Sequence, residues 1–218
     1  MSRSSNLCSE KYLWLNGSCY LLHAARKELM EYLRGQIQEG VVAIGYAVSG
    51  GTTWLKGIQV PIDHARHMLQ SPDDFLALVQ RQTIIAAQRA IVDYLFDVLI
   101  ELMDLRIDLH LSPQVQTAIR DRRKNVPQLK SIFRGMGVPI MCDDAVDREF
   151  SLLNVTRNII EHNDGKATED YIKFGGTGTV GAPITINAEV AGDAVSLIKV
   201  IVPDLDARLL ERWKIPMS

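Results

Sequence analysis

The chain is short of the features that mark several protein classes. Its 218 residues include three cysteines, Cys8, Cys19 and Cys142. An odd number with no C-x-x-C pair argues against a disulfide framework or a thiolate metal site and fits a reducing cytoplasm. Long hydrophobic runs are missing as well. The N-terminus MSRSSNLCSEK lacks the apolar core of a signal peptide, and the longest charge-free stretch of the first third, Gly40 to Leu55, is too short and too rich in Gly, Ser and Thr to span a bilayer. No charge dominates: 24 Lys and Arg against 26 Asp and Glu leave a net charge of −2. No global basic field therefore marks nucleic acid or an anionic membrane as a partner, and any such binding must be local. What is present is ordinary. With 47% hydrophobic and 23% charged residues, a chain of this length folds and buries roughly 70% of its unfolded surface. These observations predict a soluble cytoplasmic protein with no membrane partner, no metal and no cofactor.

Turn signals and periodicity divide the chain into an N-terminal helical extension, residues 1–70, and a helical domain, residues 71–218. In the extension, Leu21, Leu22, Ala25, Leu29 and Leu33 recur at helical spacing over about 18–38. For VVAIGYAVSGGTTWLKGIQV, a hairpin turning at Ser49-Gly50-Gly51 competes with a broken helix. Ser71-Pro72-Asp73-Asp74 then opens a long helix reaching about Leu109, whose second half carries only Asp93, Asp97, Glu101 and Asp104, spaced four, four and three residues apart. One thin polar stripe on an apolar rod demands cover on most sides, from its own domain or from a second copy. Ser112-Pro113 starts a short helix, Pro127 stops it, and a further segment reaches Gly135 to Gly137. Asp143 or Asp144 caps the next helix, which ends at the left-handed stop Asn163-Asp164-Gly165. DYIKFGGTGTVGAPITI reads as a Gly-rich loop or small hairpin before a last helix, about Ala188 to Trp213, kinked or interrupted at Pro203. The fold class is therefore mainly all-α, a helical bundle with a minor β-hairpin before the last helix.

Several groups could carry chemistry. Gly176-x-Gly178-x-x-Gly181 matches a dinucleotide fingerprint formally, but Ala182-Pro183-Ile184 follows where a helix is required, so a hairpin tip is favoured. The acidic stripe could hold a metal if a histidine joined it, although a solvated face is the simpler reading. His64 and His67, three apart, lack a third ligand. Between Gln114 and Gly137 lie six Lys or Arg and one Asp. Arg120, Arg122, Arg123 and Lys124 are the RNA-contacting candidates there, against the alternative of a solvated charge run.

Arg157-Asn158-Ile159-Ile160-Glu161-His162-Asn163-Asp164-Gly165 gathers an always-charged cation, an amide and a titratable imidazole at a helix end. Asn158 and His162 share a helical face, whereas Arg157 lies about 140° from His162 by rotation. The guanidinium must therefore reach around the helix, or a second helix must complete the site, as two copies about a two-fold axis would do. A structural alternative pairs Arg157 with Asp144, Asp147 or Glu161 and leaves His162 to cap the helix.

RNIIEHNDG resembles the R-N-x-x-x-H motif, often continued by Asn or Asp and Gly, of HEPN domains, and the resemblance covers about Ser71 to Trp213. It implies a metal-independent endoribonuclease of toxin-like or defence type, with one composite site at a homodimer interface. It also implies RNA as substrate and a cognate antitoxin or nucleotidyltransferase as a partner. His162 would be the general acid or base on the ribose 2′-hydroxyl and the leaving oxygen. Arg157 would hold the scissile phosphate, and Asn158 would orient the imidazole or the phosphate. The products would carry 2′,3′-cyclic phosphate, and DNA would be inert. The chain departs from the motif at Glu161, where such motifs are often apolar. The rival reading is a non-catalytic HEPN-like dimer that binds a nucleotide or a partner.

Overall fold

The computed structural model describes residues 52–55, 58–61 and 72–213. The first two segments are β1 (Thr52–Leu55) and β2 (Ile58–Pro61), an antiparallel pair with Thr52 opposite Pro61 and Leu55 opposite Ile58. A hairpin therefore forms, but it reverses between Leu55 and Ile58. The Ser49-Gly50-Gly51 turn, the helix expected over 18–38, and His64 and His67 lie outside the described residues.

Among the described residues six helices follow: α1 (Pro72–Asp104), α2 (Pro113–Arg120), α3 (Val126–Gly135), α4 (Asp144–His162), α5 (Glu169–Lys173) and α6 (Ala188–Trp213). The mainly all-α expectation holds. Starts follow local chemistry. Ser112 caps α2 by accepting from the Val115 N–H at 3.4 Å, with Pro113 in the first turn, and Asp143 caps α4 by accepting from the Ala145 N–H at 2.7 Å. At α3, Asn125 and Gln128 form a reciprocal capping box. Pro127 thus sits in the first turn of α3, where its missing N–H is harmless; it opens that helix and, contrary to expectation, does not stop α2, which ends at Arg120.

Helix α1 is the axis of the bundle. It packs along α6 and against α4 and α2, while α4 also meets α6 and α5. Ile84, Ile91, Tyr94, Leu95 and Leu99 are at most 1% exposed, and full burial of such side chains is worth about 1.5–3 kcal/mol each before entropy. The rod is covered by its own chain, with Ile198, Ile201 and Leu205 of α6, Phe150 of α4 and Phe133 of α3 in the same core. Two polar contacts fix the arrangement. The Tyr94 hydroxyl donates to the Val202 carbonyl at 3.3 Å, and the Gln88 amide donates to Asn154 Oδ1 at 3.1 Å, joining α1 to α6 and α4. Helix α6 runs uninterrupted through Pro203, which is exposed, so its ring and missing N–H fall on the solvent side.

Two further expectations are corrected. Helix α1 stops at Asp104, not near Leu109. The Ile107 N–H reaches the Leu102 carbonyl at 3.1 Å and the Arg106 N–H reaches Met103 at 3.0 Å, a Schellman closure with Arg106 left-handed at φ 59. The β-hairpin expected before the last helix is reduced to a single bridge, Lys166 with Pro183. Thr168 caps α5 instead, and Tyr171 turns inward to join Ile159 and Ala167 in a second small core. The Gly176 Cα lies so close to the Tyr171 ring that a Cβ would overlap it.

Two substitutions test these backbone readings. Gly176→Ala must displace the Tyr171 ring and lowers stability by about 1–3 kcal/mol, read as a drop in the urea midpoint. Arg106→Gly relieves the left-handed strain and raises the midpoint by the equivalent of about 0.5–1 kcal/mol. A fall in that variant would refute the assignment of strain to Arg106.

Candidate active site

Helix α4 delivers the RNIIEHNDG residues to one end of the bundle. Its last turn closes as expected: Asn163 follows the helix, and Asp164 and Gly165 are both left-handed, at φ 50 and 73. Ile159, fully buried, anchors the turn. Its neighbours Asn158 and Ile160 are half-buried, and the His162 side chain is 66% exposed.

Glu161 is the centre of the cluster. It lies one helical turn after Arg157, and its carboxylate pairs with that guanidinium. The other carboxylate oxygen takes Arg89 Nη2 of α1 at 2.8 Å, and His162 Nε2 lies 3.7 Å from Oε2. The Glu161 side chain is 17% exposed, Arg157 24% and Arg89 61%, so the carboxylate is the sheltered member and Arg89 closes over it from the solvent side. Asn158 Oδ1 accepts from Arg157 Nη1 at 3.0 Å. Asn158 therefore orients the arginine rather than the imidazole. Arg157 Nε is the one buried side-chain polar atom without a hydrogen-bond partner among the described residues.

Sequence rotation separates Arg157 from His162, yet the structure brings both to Glu161 Oε2 within one chain. The residue that departs from the motif is the one that joins them. Beside them a cleft of about 420 Å³ runs between α1 and α4, lined by Arg81, Gln82, Ile85, Arg89, Ile160 and Glu161. Arg81 and Arg89 were not singled out from the sequence. Their signal was present, since Arg81, Ile85, Arg89, Asp93 and Asp97 recur every four residues. The acidic stripe thus continues toward the N-terminus with opposite sign.

The basic run after α2 does not form a free cationic patch. Arg122 pairs with Asp93 at 3.0 Å and Asp97 at 2.5 Å and lies over the Phe96 ring at 5.7 Å, and Arg120 pairs with Asp104 at 2.7 Å. Arg123 pairs with Asp121, and Lys124 is half-buried. The reason is a left-handed turn at Arg122, φ 53, which closes α2 and sends this side chain back across α1. The acidic stripe is accordingly an ion-pair surface. Among the described residues no group of three or more His, Cys, Asp or Glu is placed to hold a metal ion, and no helix is long and apolar enough to cross a membrane. The Gly176 to Gly181 string is a loop between α5 and α6, with neither a strand before it nor a helix directly after it.

The burial order sets an order of energetic weight. Glu161→Ala leaves two guanidiniums without their carboxylate and costs about 1–2 kcal/mol, whereas Arg89→Ala, at a largely exposed position, costs under about 0.5 kcal/mol. Paired denaturation curves check this, and equal costs would refute the central role of Glu161. No family model, curated protein or solved structure matches the chain.

Proposed function

We propose that the end of α4 is the active site of a metal-independent endoribonuclease, HEPN-like in its motif, with His162 as general acid or base and Arg157 as the phosphate-holding cation. The observation that carries this reading is the convergence of Arg157 and His162 on one carboxylate oxygen. A guanidinium and an exposed imidazole that meet at an anion are placed to meet at the oxygens of a phosphodiester. An imidazole ring nitrogen can accept the 2′-hydroxyl proton, and the protonated ring can return a proton to the leaving 5′-oxygen. Attack by the 2′-oxygen forms the bond to phosphorus as the bond to the 5′-oxygen breaks, giving a 2′,3′-cyclic phosphate. The substrate is RNA, since DNA lacks the attacking group.

The proposal extends to a homodimer in which two such ends face one cleft, and to toxin-like or defence-type action restrained by a cognate antitoxin or nucleotidyltransferase. A second reading, a non-catalytic HEPN-like module binding a nucleotide or a partner, is favoured by one observation: Arg157 already has its charge matched by Glu161 and its Nη1 held by Asn158.

Incubation with total and synthetic RNA in excess EDTA separates the two. The enzyme yields cyclic-phosphate ends, and His162→Ala loses about 10²- to 10⁴-fold of the rate with an unchanged melting temperature, because the side chain is exposed. Equal inertness of wild type and variant on several RNAs would instead support the binding module.

A further inference from the structure

We infer that the cleft between α1 and the last turn of α4 is a second phosphate subsite, in which Arg81 and Arg89 hold a backbone phosphate of single-stranded RNA next to the one cleaved. The inference rests on the ribonuclease reading for the position of the cleaved phosphate, but the contacts it names belong to neither α4 nor the motif.

Charge is the first argument. Arg81 and Arg89 line the cleft against Glu161 alone, and that carboxylate is also paired with Arg157, so positive charge is in excess there in a chain whose net charge is −2. The cationic surface is bounded as well. One turn further along α1 the stripe turns acidic, with Asp93 and Asp97 bridged by Arg122, and carboxylates there disfavour a phosphate backbone.

Geometry is the second argument. Arg81 and Arg89 lie about two turns apart on α1, about 12 Å along its axis and about 80° in rotation, and both line the same cleft. Arg81 has no ion pair among the described residues, and Arg89 uses only Nη2 on Glu161. Their remaining N–H groups are available, and a guanidinium fork matches phosphate oxygens at two points. Gln82 adds an exposed amide on the same wall. Glu161 already shows that an oxyanion can be held here by Arg89 and Arg157 together. A phosphate in the cleft takes Arg81 and the free side of Arg89 without displacing that carboxylate.

The test uses the full chain and a fluorescent 2′-O-methyl oligoribonucleotide, which presents the phosphates but cannot be cleaved through its 2′-oxygen. Binding is followed by anisotropy across a salt series. Arg81→Gln and Arg89→Gln each weaken binding by about threefold to tenfold at low salt, and each lowers the log–log salt slope by about 0.7, the value for one lost contact to a single strand. Arg81→Gln keeps the wild-type melting temperature, so loss of fold does not confuse the result. Cleavage of unmodified RNA slows in parallel because KM rises, while kcat at saturating RNA is retained.

If both variants bind with wild-type affinity and slope while wild type still cleaves RNA, the subsite is refuted and the ribonuclease reading stands. If affinity and slope fall as stated but wild type cleaves no RNA, the subsite stands and the ribonuclease reading falls. If wild type does not bind the oligonucleotide even at low salt, the subsite is refuted outright.

Discussion

Everything in this fold follows from the girth of α1. A helix of 33 residues that is apolar nearly all round cannot stay in water, and it is covered by α6 along its length, by α4 on a second side and by the end of α2 on a third. Hydrophobic burial supplies the driving force but little direction, since it scales with area. Direction comes from the stripe left polar. Its N-terminal half carries Arg81 and Arg89, and its C-terminal half carries Asp93, Asp97 and Asp104. The end of α4 brings a carboxylate to the first half, and the end of α2 brings arginines to the second. Exchanging the two would set like charges together, so ion pairs that add little net stability at these exposures still specify which helix end lies on which half of α1.

Local signals in the sequence were readable because they act within a turn. Ser112, Asp143 and the Asn163-Asp164-Gly165 stop each work through bonds to neighbours a few residues away, and each marks a helix boundary in the structure. The end of α1 was not readable in the same way. Its closing residue is Arg106, and a left-handed arginine has no mark in the sequence to distinguish it from a helical one. The segment after α4 is misleading in sequence for a different reason. Its four glycines from Gly175 to Gly181, together with Gly165, advertise turns and mask the cap at Thr168, followed by Glu169 and Asp170, that starts α5.

The site was half legible for the same physical reason. Arg157, Asn158 and His162 are close in sequence, and the structure keeps them close in space. The partners that set their electrostatics are distant in sequence. Arg89 meets Glu161 across 72 residues, and Arg122 meets Asp93 across 29. The run from Arg120 to Lys124 reads as a patch only until the acids of α1 are placed beneath it.

Glu161 changes meaning most between sequence and structure. Read alone, a carboxylate beside the motif histidine repels an RNA backbone. In the fold it lies between two arginines, so this surface is a cationic cluster with one internal anion. The same carboxylate bridges the angular gap between Arg157 and His162, for which a second helix was the alternative. Within one chain, then, the arginine is held by Asn158 on one nitrogen and Glu161 on another, with Nε buried behind them. On the proposed ribonuclease reading, a scissile phosphate would gain Arg157 only by sharing or replacing that carboxylate. Replacement exchanges one oxyanion for another and leaves the guanidinium satisfied throughout, which costs far less than exposing an unpaired charge at a sheltered position.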